Sequence, residues 1–225
     1  MPSIIETVVL VSAAASDWAP LEKRFPLLAD RYRILSADVA PPPAAPPPAS
    51  LLNSRFDRLA AFLAAVQTEG TRTDRVHLAG CGAGADIALR YALSFPAQIA
   101  SLVLVAWEPV GPAEEGESGK SGEFGLPLLR LGDLRCPVLM LIGGADPTMT
   151  TGRYGLPLSF IPDCSLFTVP GAGRHVLNDR PRLVARLLLD FYKTLRNRPA
   201  RPSACPSVGQ RGRHRRLASA RQERA

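Results

Sequence analysis

Along the chain, short apolar and β-branched runs alternate with stretches of helical periodicity. Ile4–Val11 reads as a strand, and Trp18–Asp30 as a helix interrupted near Pro26. Tyr32–Ser36 is a second strand that runs out at Asp38. Pro41–Ser50, PPPAAPPPAS, reads as an extended loop, because proline lacks the N–H that a helix or central strand needs. Helical spacing returns over Leu51–Val66, where Leu51, Leu52, Phe56, Leu59, Phe62 and Leu63 form one stripe. Then come a strand at Val76–Ala79, a helix at Ala85–Phe95 and a strand at Leu102–Ala106. A Gly- and Glu-rich connection over Glu108–Asp133 holds a short helix around Leu126–Leu131. Strands at Val138–Ile142 and Ser165–Val169 and a closing helix at Pro181–Leu195 complete the pattern. Strands alternating with helices of this length predict an α/β fold, a doubly wound parallel sheet of about six strands flanked by helices.

Composition adds a boundary. The 225 residues are 46% hydrophobic and carry a formal net charge of +7. From Arg196 onward there are nine Arg and one Glu, a net of +8, which leaves about −1 for everything before it. Residues 1–195 are therefore expected to form the folded domain, and 196–225 an Arg-rich tail too poor in large apolar residues to offset its ordering entropy. Without interleaved aromatics or a folded basic face, the tail is not read as a nucleic-acid binder. No apolar run is long enough to span a membrane. MPSIIETVVL lacks a basic leader and carries Glu6, so no secretory signal is expected. The four cysteines show neither metal spacing nor a disulfide framework. They read as free thiols of a cytoplasmic protein, and no metal or cofactor is expected.

The candidate chemistry lies at Val76–Asp86, VHLAGCGAGAD. Gly80-Cys81-Gly82-Ala83-Gly84-Ala85 satisfies the dinucleotide fingerprint G-x-G-x-x-G/A, and Glu108 follows at the end of the next strand. That fingerprint normally opens the first βα unit of its domain, however, and here two strands precede it. The same letters also match a nucleophile elbow, G-x-S-x-G, with glycine at the serine position.

Four segments in order favour the elbow: WAPLEKRFPLLADRYRILSADV, VHLAGCGAGADIALRYALSFPAQIASLVLV, CPVLMLIGGADP and VPGAGRHVLNDRPRLVARLLLDFY. Over Val8–Tyr192 the chain resembles the α/β-hydrolase family, in its small esterase, lactonase and C–C hydrolase branch. The resemblance implies a small-molecule substrate or ligand and a nucleophile–histidine–acid triad with an oxyanion hole, and because only Glu108–Asp133 lies where the family often inserts a cap, a domain without a substantial cap is expected. It places Gly82 at the nucleophile position, where no side chain can form an acyl-enzyme, and Asp146 at the acid position. Counting back seven from Pro181 puts Arg174 at the histidine position, with His175 displaced by one. Val11-Ser12-Ala13 stands where the family carries an oxyanion-donating His-Gly.

Three readings follow from this set. The site is degenerate, and hydrolysis is weak or absent. Alternatively, a register slip makes Cys81–His175–Asp146 a thiol triad, with Ala83 and Ser12 near the oxyanion. Alternatively, the old site binds a small anion or nucleotide at the helix beginning with Ala83, assisted by Arg174.

Overall fold

The computed structural model describes residues 6–13, 17–22, 26–29, 32–40, 48–68, 75–108, 128–148 and 158–197. The Arg-rich tail beyond 197, the proline run over 41–47 and most of the connection after Glu108 lie outside the described residues.

Six strands, β1 (Glu6–Ser12), β2 (Tyr32–Asp38), β3 (Val76–Cys81), β4 (Ile99–Val105), β5 (Val138–Gly143) and β6 (Cys164–Val169), form one sheet. Every pairing is parallel and the order is β2-β1-β3-β4-β5-β6. Helices α1 (Ala19–Glu22), α2 (Pro26–Ala29), α3 (Pro48–Thr68), α4 (Ala83–Ser94), α5 (Val176–Asp179) and α6 (Pro181–Arg196) connect and cover it.

Strand residues point alternately to opposite faces, so each strand feeds two cores. Val9 and Val11 of β1 pack with Leu78, Leu104 and Met140 under Leu59 and Leu63 of α3 and Ile87 of α4. Val8 and Leu10 pack with Ala79, Val103 and Leu141 against Trp18, Leu21, and Val184 and Leu188 of α6. Each fully buried Leu or Val contributes about 1.5–3 kcal/mol of transfer free energy. Burial on both faces explains why β3, β4 and β5 are almost entirely apolar.

His77 is the polar exception inside β3, and its ring is partnered. Its Nδ1 lies 2.8 Å from the Ser101 hydroxyl and its Nε2 3.4 Å from the Glu6 carboxylate. The Tyr32 and Tyr192 rings flank it at 5.9 and 5.2 Å. The hydrogen bond with His77 is the main reason Glu6 is held below its ordinary pKa.

Several predicted boundaries are corrected. The helix predicted over Trp18–Asp30 with an interruption near Pro26 comprises, among the described residues, two four-residue helices, α1 and α2, with Pro26 opening the second. Helix α3 starts at Pro48, inside the segment read as loop to Ser50. Proline fits a first helical position, where its missing N–H has no partner to lose. Strand β4 begins at Ile99 rather than Leu102, since Ile99 and Ser101 pair with Val76 and His77 across a register shift. The short helix expected around Leu126–Leu131 is a 3₁₀ turn over Leu128–Asp133. Helix α5 was not foreseen.

The strand order reverses between β1 and β3, which opens a crevice at their carboxyl ends. Ser12, Cys81 and Gly82 all lie at that end of the sheet.

Candidate functional site

Strand β3 delivers Cys81 as its last residue and α4 begins at Ala83, so Gly82 alone makes the turn between them. Its backbone adopts φ 53° and ψ −121°, a conformation that side chains rarely take and glycine takes readily. The Gly82 N–H donates to the Val105 carbonyl at 2.9 Å, and its own carbonyl accepts from Ala85 N–H at 3.0 Å. A methyl group placed on Gly82 would meet nothing within 4 Å. The flanking glycines serve close packing instead. A methyl on Gly80 would collide with the backbone of Ala85, and one on Gly84 with the Val11 carbonyl. The glycine spacing that matches a dinucleotide fingerprint thus has a complete account in the strand–turn–helix packing.

Above this turn lies a cleft of about 540 Å³, whose lining includes Cys81, Gly82, Ala83, Ala106, Trp107, Arg174 and His175. The structure therefore brings five of the sequence-predicted residues, Cys81, Gly82, Ala83, Arg174 and His175, to one cleft. Ser12 is buried at the end of β1, where its carbonyl accepts the Val39 N–H at 2.8 Å. Asp146 is buried in the turn after β5, and its Oδ1 accepts both the N–H and the hydroxyl of Thr148, at 2.9 and 2.7 Å. That turn is stitched to the loop carrying Arg174 and His175 by Gly144 N–H to Val169 O at 2.9 Å and Ala145 N–H to Ala172 O at 2.8 Å. His175 caps α5, its carbonyl accepting the N–H groups of Asn178 and Asp179.

Three carboxylates also line the cleft: Asp17, Asp86 and Glu108. Glu108, at the far end of β4, forms an ion pair with Arg174, Nη2 to Oε1 at 2.5 Å. Asp17 accepts the Ala13 N–H at 3.0 Å, so the donor just after β1 is turned onto a carboxylate. Asp86 pairs with Arg90 one helical turn on, at 2.9 Å. Burial pushes its carboxyl up, against hydrogen bonds from Arg90 and Trp107 that pull it down. Burial, reinforced by the Asp17 charge, pushes the Cys81 thiol up to about 12. Among the described residues Cys81, Cys136 and Cys164 are all free thiols.

Of these groups, Asp17 and Asp86 went unnoticed in the sequence. The Asp86–Arg90 spacing of four on a helix was a legible signal. Nothing in the local sequence marks Asp17, whose role depends on the path of the chain after β1.

No protein-family model matches the sequence, and neither does any curated protein. Solved structures do. The chain is similar to 2-hydroxy-6-oxo-6-phenylhexa-2,4-dienoate hydrolase from Rhodococcus sp. strain RHA1, at 14% identity and a TM-score of 0.68 over 84% of this chain and 91% of that one. It is similar to a serine hydrolase from the polyaromatic hydrocarbon-degrading bacterium Cycloclasticus zankles, at 14% identity and a TM-score of 0.69, covering 86% and 92%. An alpha/beta hydrolase enzyme from a lagoon-sediment metagenome aligns at 16% identity and a TM-score of 0.68, covering 84% and 91%. With its all-parallel order β2-β1-β3-β4-β5-β6, its turn at Gly82 and these structural likenesses, the chain has the α/β-hydrolase fold.

Proposed function

We propose that this protein keeps the framework of an ester, lactone or C–C bond hydrolase but performs little or no hydrolysis, its cleft serving to bind a small molecule. The observation that carries this reading is the position of Gly82 at the apex of the strand–turn–helix, in the backbone conformation of φ 53° and ψ −121°. A serine or cysteine there would project into open space, and glycine supplies no atom to attack a carbonyl.

The surrounding groups support the same reading. Cys81 is the nearest nucleophilic atom, but at a pKa of about 12 its thiol carries almost no thiolate at neutral pH. Arg174 stands where the resemblance calls for a histidine, and its guanidinium is held by Glu108 rather than poised to move a proton. The Ala13 N–H is spent on Asp17, which places a negative charge where an oxyanion hole needs donors.

Steady-state turnover of p-nitrophenyl esters by the wild type and by Cys81→Ala tests this. Both are expected to stay at the background rate. Ester turnover by the wild type that Cys81→Ala abolishes would establish the Cys81–His175–Asp146 thiol triad instead.

A further inference from the structure

The loop after β1 decides what the cleft over Gly82 can receive. A methyl group on Gly84 would collide with the Val11 carbonyl and lie 3.4 Å from the Ala13 nitrogen, so the Ala13 N–H sits beside the first turn of α4. An acyl-transfer site holds its oxyanion in such a place, between the backbone donors of that loop and of the helix start. In this chain the occupant is the protein's own carboxylate. Asp17 Oδ2 accepts the Ala13 N–H at 3.0 Å, and Asp17 lines the cleft. Its charge reaches the apex: after burial, it is the Asp17 carboxylate that pushes the Cys81 thiol up. Asp86, in the first turn of α4, offsets the positive end of the helix as well. The other cleft charges are balanced in pairs, Asp86 with Arg90 at 2.9 Å and Glu108 with Arg174. His175 is exposed.

We propose that Asp17 is a fixed counter-ion in the place of an oxyanion, and that the cleft takes a small organic ammonium rather than a carboxylate, phosphate or acyl group. This rests on the reading of the cleft as a binding site and names the class of its ligand. The ammonium pairs with Asp17 beside the Gly82 turn, where a group beyond the Gly82 Cα meets nothing within 4 Å. The rest of the ligand lies against Cys81, Ala106 and Trp107, the apolar part of the lining. A cleft of about 540 Å³ is large enough for such a molecule. An anion in the same place would face Asp17, and Arg174, which could attract it, is already paired with Glu108.

Ligand-observed NMR titration of the full-length chain with benzylammonium, benzyl alcohol and benzoate tests this, since the three probes share one ring and differ in charge. Wild type is expected to bind benzylammonium about fivefold more tightly than benzyl alcohol, and benzoate most weakly. The net charge of +7 would draw benzoate to the surface, so a preference for the cation does not arise there. Asp17→Asn keeps an oxygen to accept the Ala13 N–H and removes the charge, and it is expected to bind benzylammonium and benzyl alcohol equally. Benzylammonium should also slow alkylation of Cys81 by iodoacetamide in the wild type, followed by peptide mapping. Should Asp17→Asn melt early, the wild-type preference for the ammonium is expected to shrink as salt rises from about 50 to 500 mM. Benzoate binding as tightly as benzylammonium overturns the proposal. So do a preference that survives Asp17→Asn or is indifferent to salt, an unchanged rate of Cys81 alkylation, and the binding of no probe. Benzyl alcohol binding without any charge preference removes the ammonium alone and leaves the cleft a binding site. Ester turnover removes the binding reading itself.

Discussion

Gly82 and Gly84 lie two residues apart and are glycine for different physical reasons. At Gly82 the requirement is conformational: φ is 53° and the space beyond Cα is open. At Gly84 the requirement is steric, because the first turn of α4 presses on the Val11 carbonyl. Gly84→Ala should therefore cost about 1–3 kcal/mol through overpacking, and urea unfolding with an unchanged midpoint would refute that close approach. Glu6 offers a test that depends on pH. Its pKa is lowered in the fold, first by the hydrogen bond with His77, so the stability it contributes is present above the ordinary value of 4.5 and is lost as pH falls through the lowered one. Glu6 is partly exposed, which screens the pair and limits the effect to about 0.5–1 kcal/mol. Glu6→Gln should accordingly melt earlier than wild type at neutral pH, with a gap that narrows below pH 4.5 and closes once pH has fallen through the lowered value. A gap that persists at low pH would show that the effect is packing rather than charge.

Among the elements, β3 and α4 were legible because apolar run, small residues and helical spacing follow one another without interruption. The closing helix α6 was legible for a similar reason, its apolar stripe spanning Val184 to Tyr192. The short helix α5 was not, because four residues carry too little periodicity to read, whereas α1 and α2 fall within the interrupted helix read over Trp18–Asp30. Nor could the sequence show that Glu108, at the end of β4, meets Arg174, in the loop after β6. They are 66 positions apart, and only the parallel stacking of β4, β5 and β6 brings those two ends together. That ion pair has a consequence for the anion-binding reading, since a ligand must compete with Glu108 for Arg174. Glu108→Gln should free the guanidinium and strengthen binding of inorganic phosphate by roughly fivefold, the equivalent of about 1 kcal/mol for a half-exposed pair. Phosphate affinity that stays the same in thermal-shift titration would mean Arg174 does not face the ligand.

For the molecule as a whole, the sequence and the structure agree on a parallel sheet with helices on both faces, and the strand order puts the candidate site at its carboxyl edge. What a sequence pattern could not supply is the state of the site's groups. Asp17 and Ala13 are four residues apart, yet their hydrogen bond depends on how the chain turns after β1. The raised thiol of Cys81 depends on burial in the folded chain and on Asp17. The glycine on which the proposed loss of a nucleophile rests, by contrast, was written at a single position. The most direct test of that claim is intact-mass spectrometry of the full-length protein after incubation with an activated ester, with peptide mapping of any adduct. The account predicts no acylated residue in the cleft of the wild type. A stoichiometric acyl adduct mapped to Cys81 would contradict it.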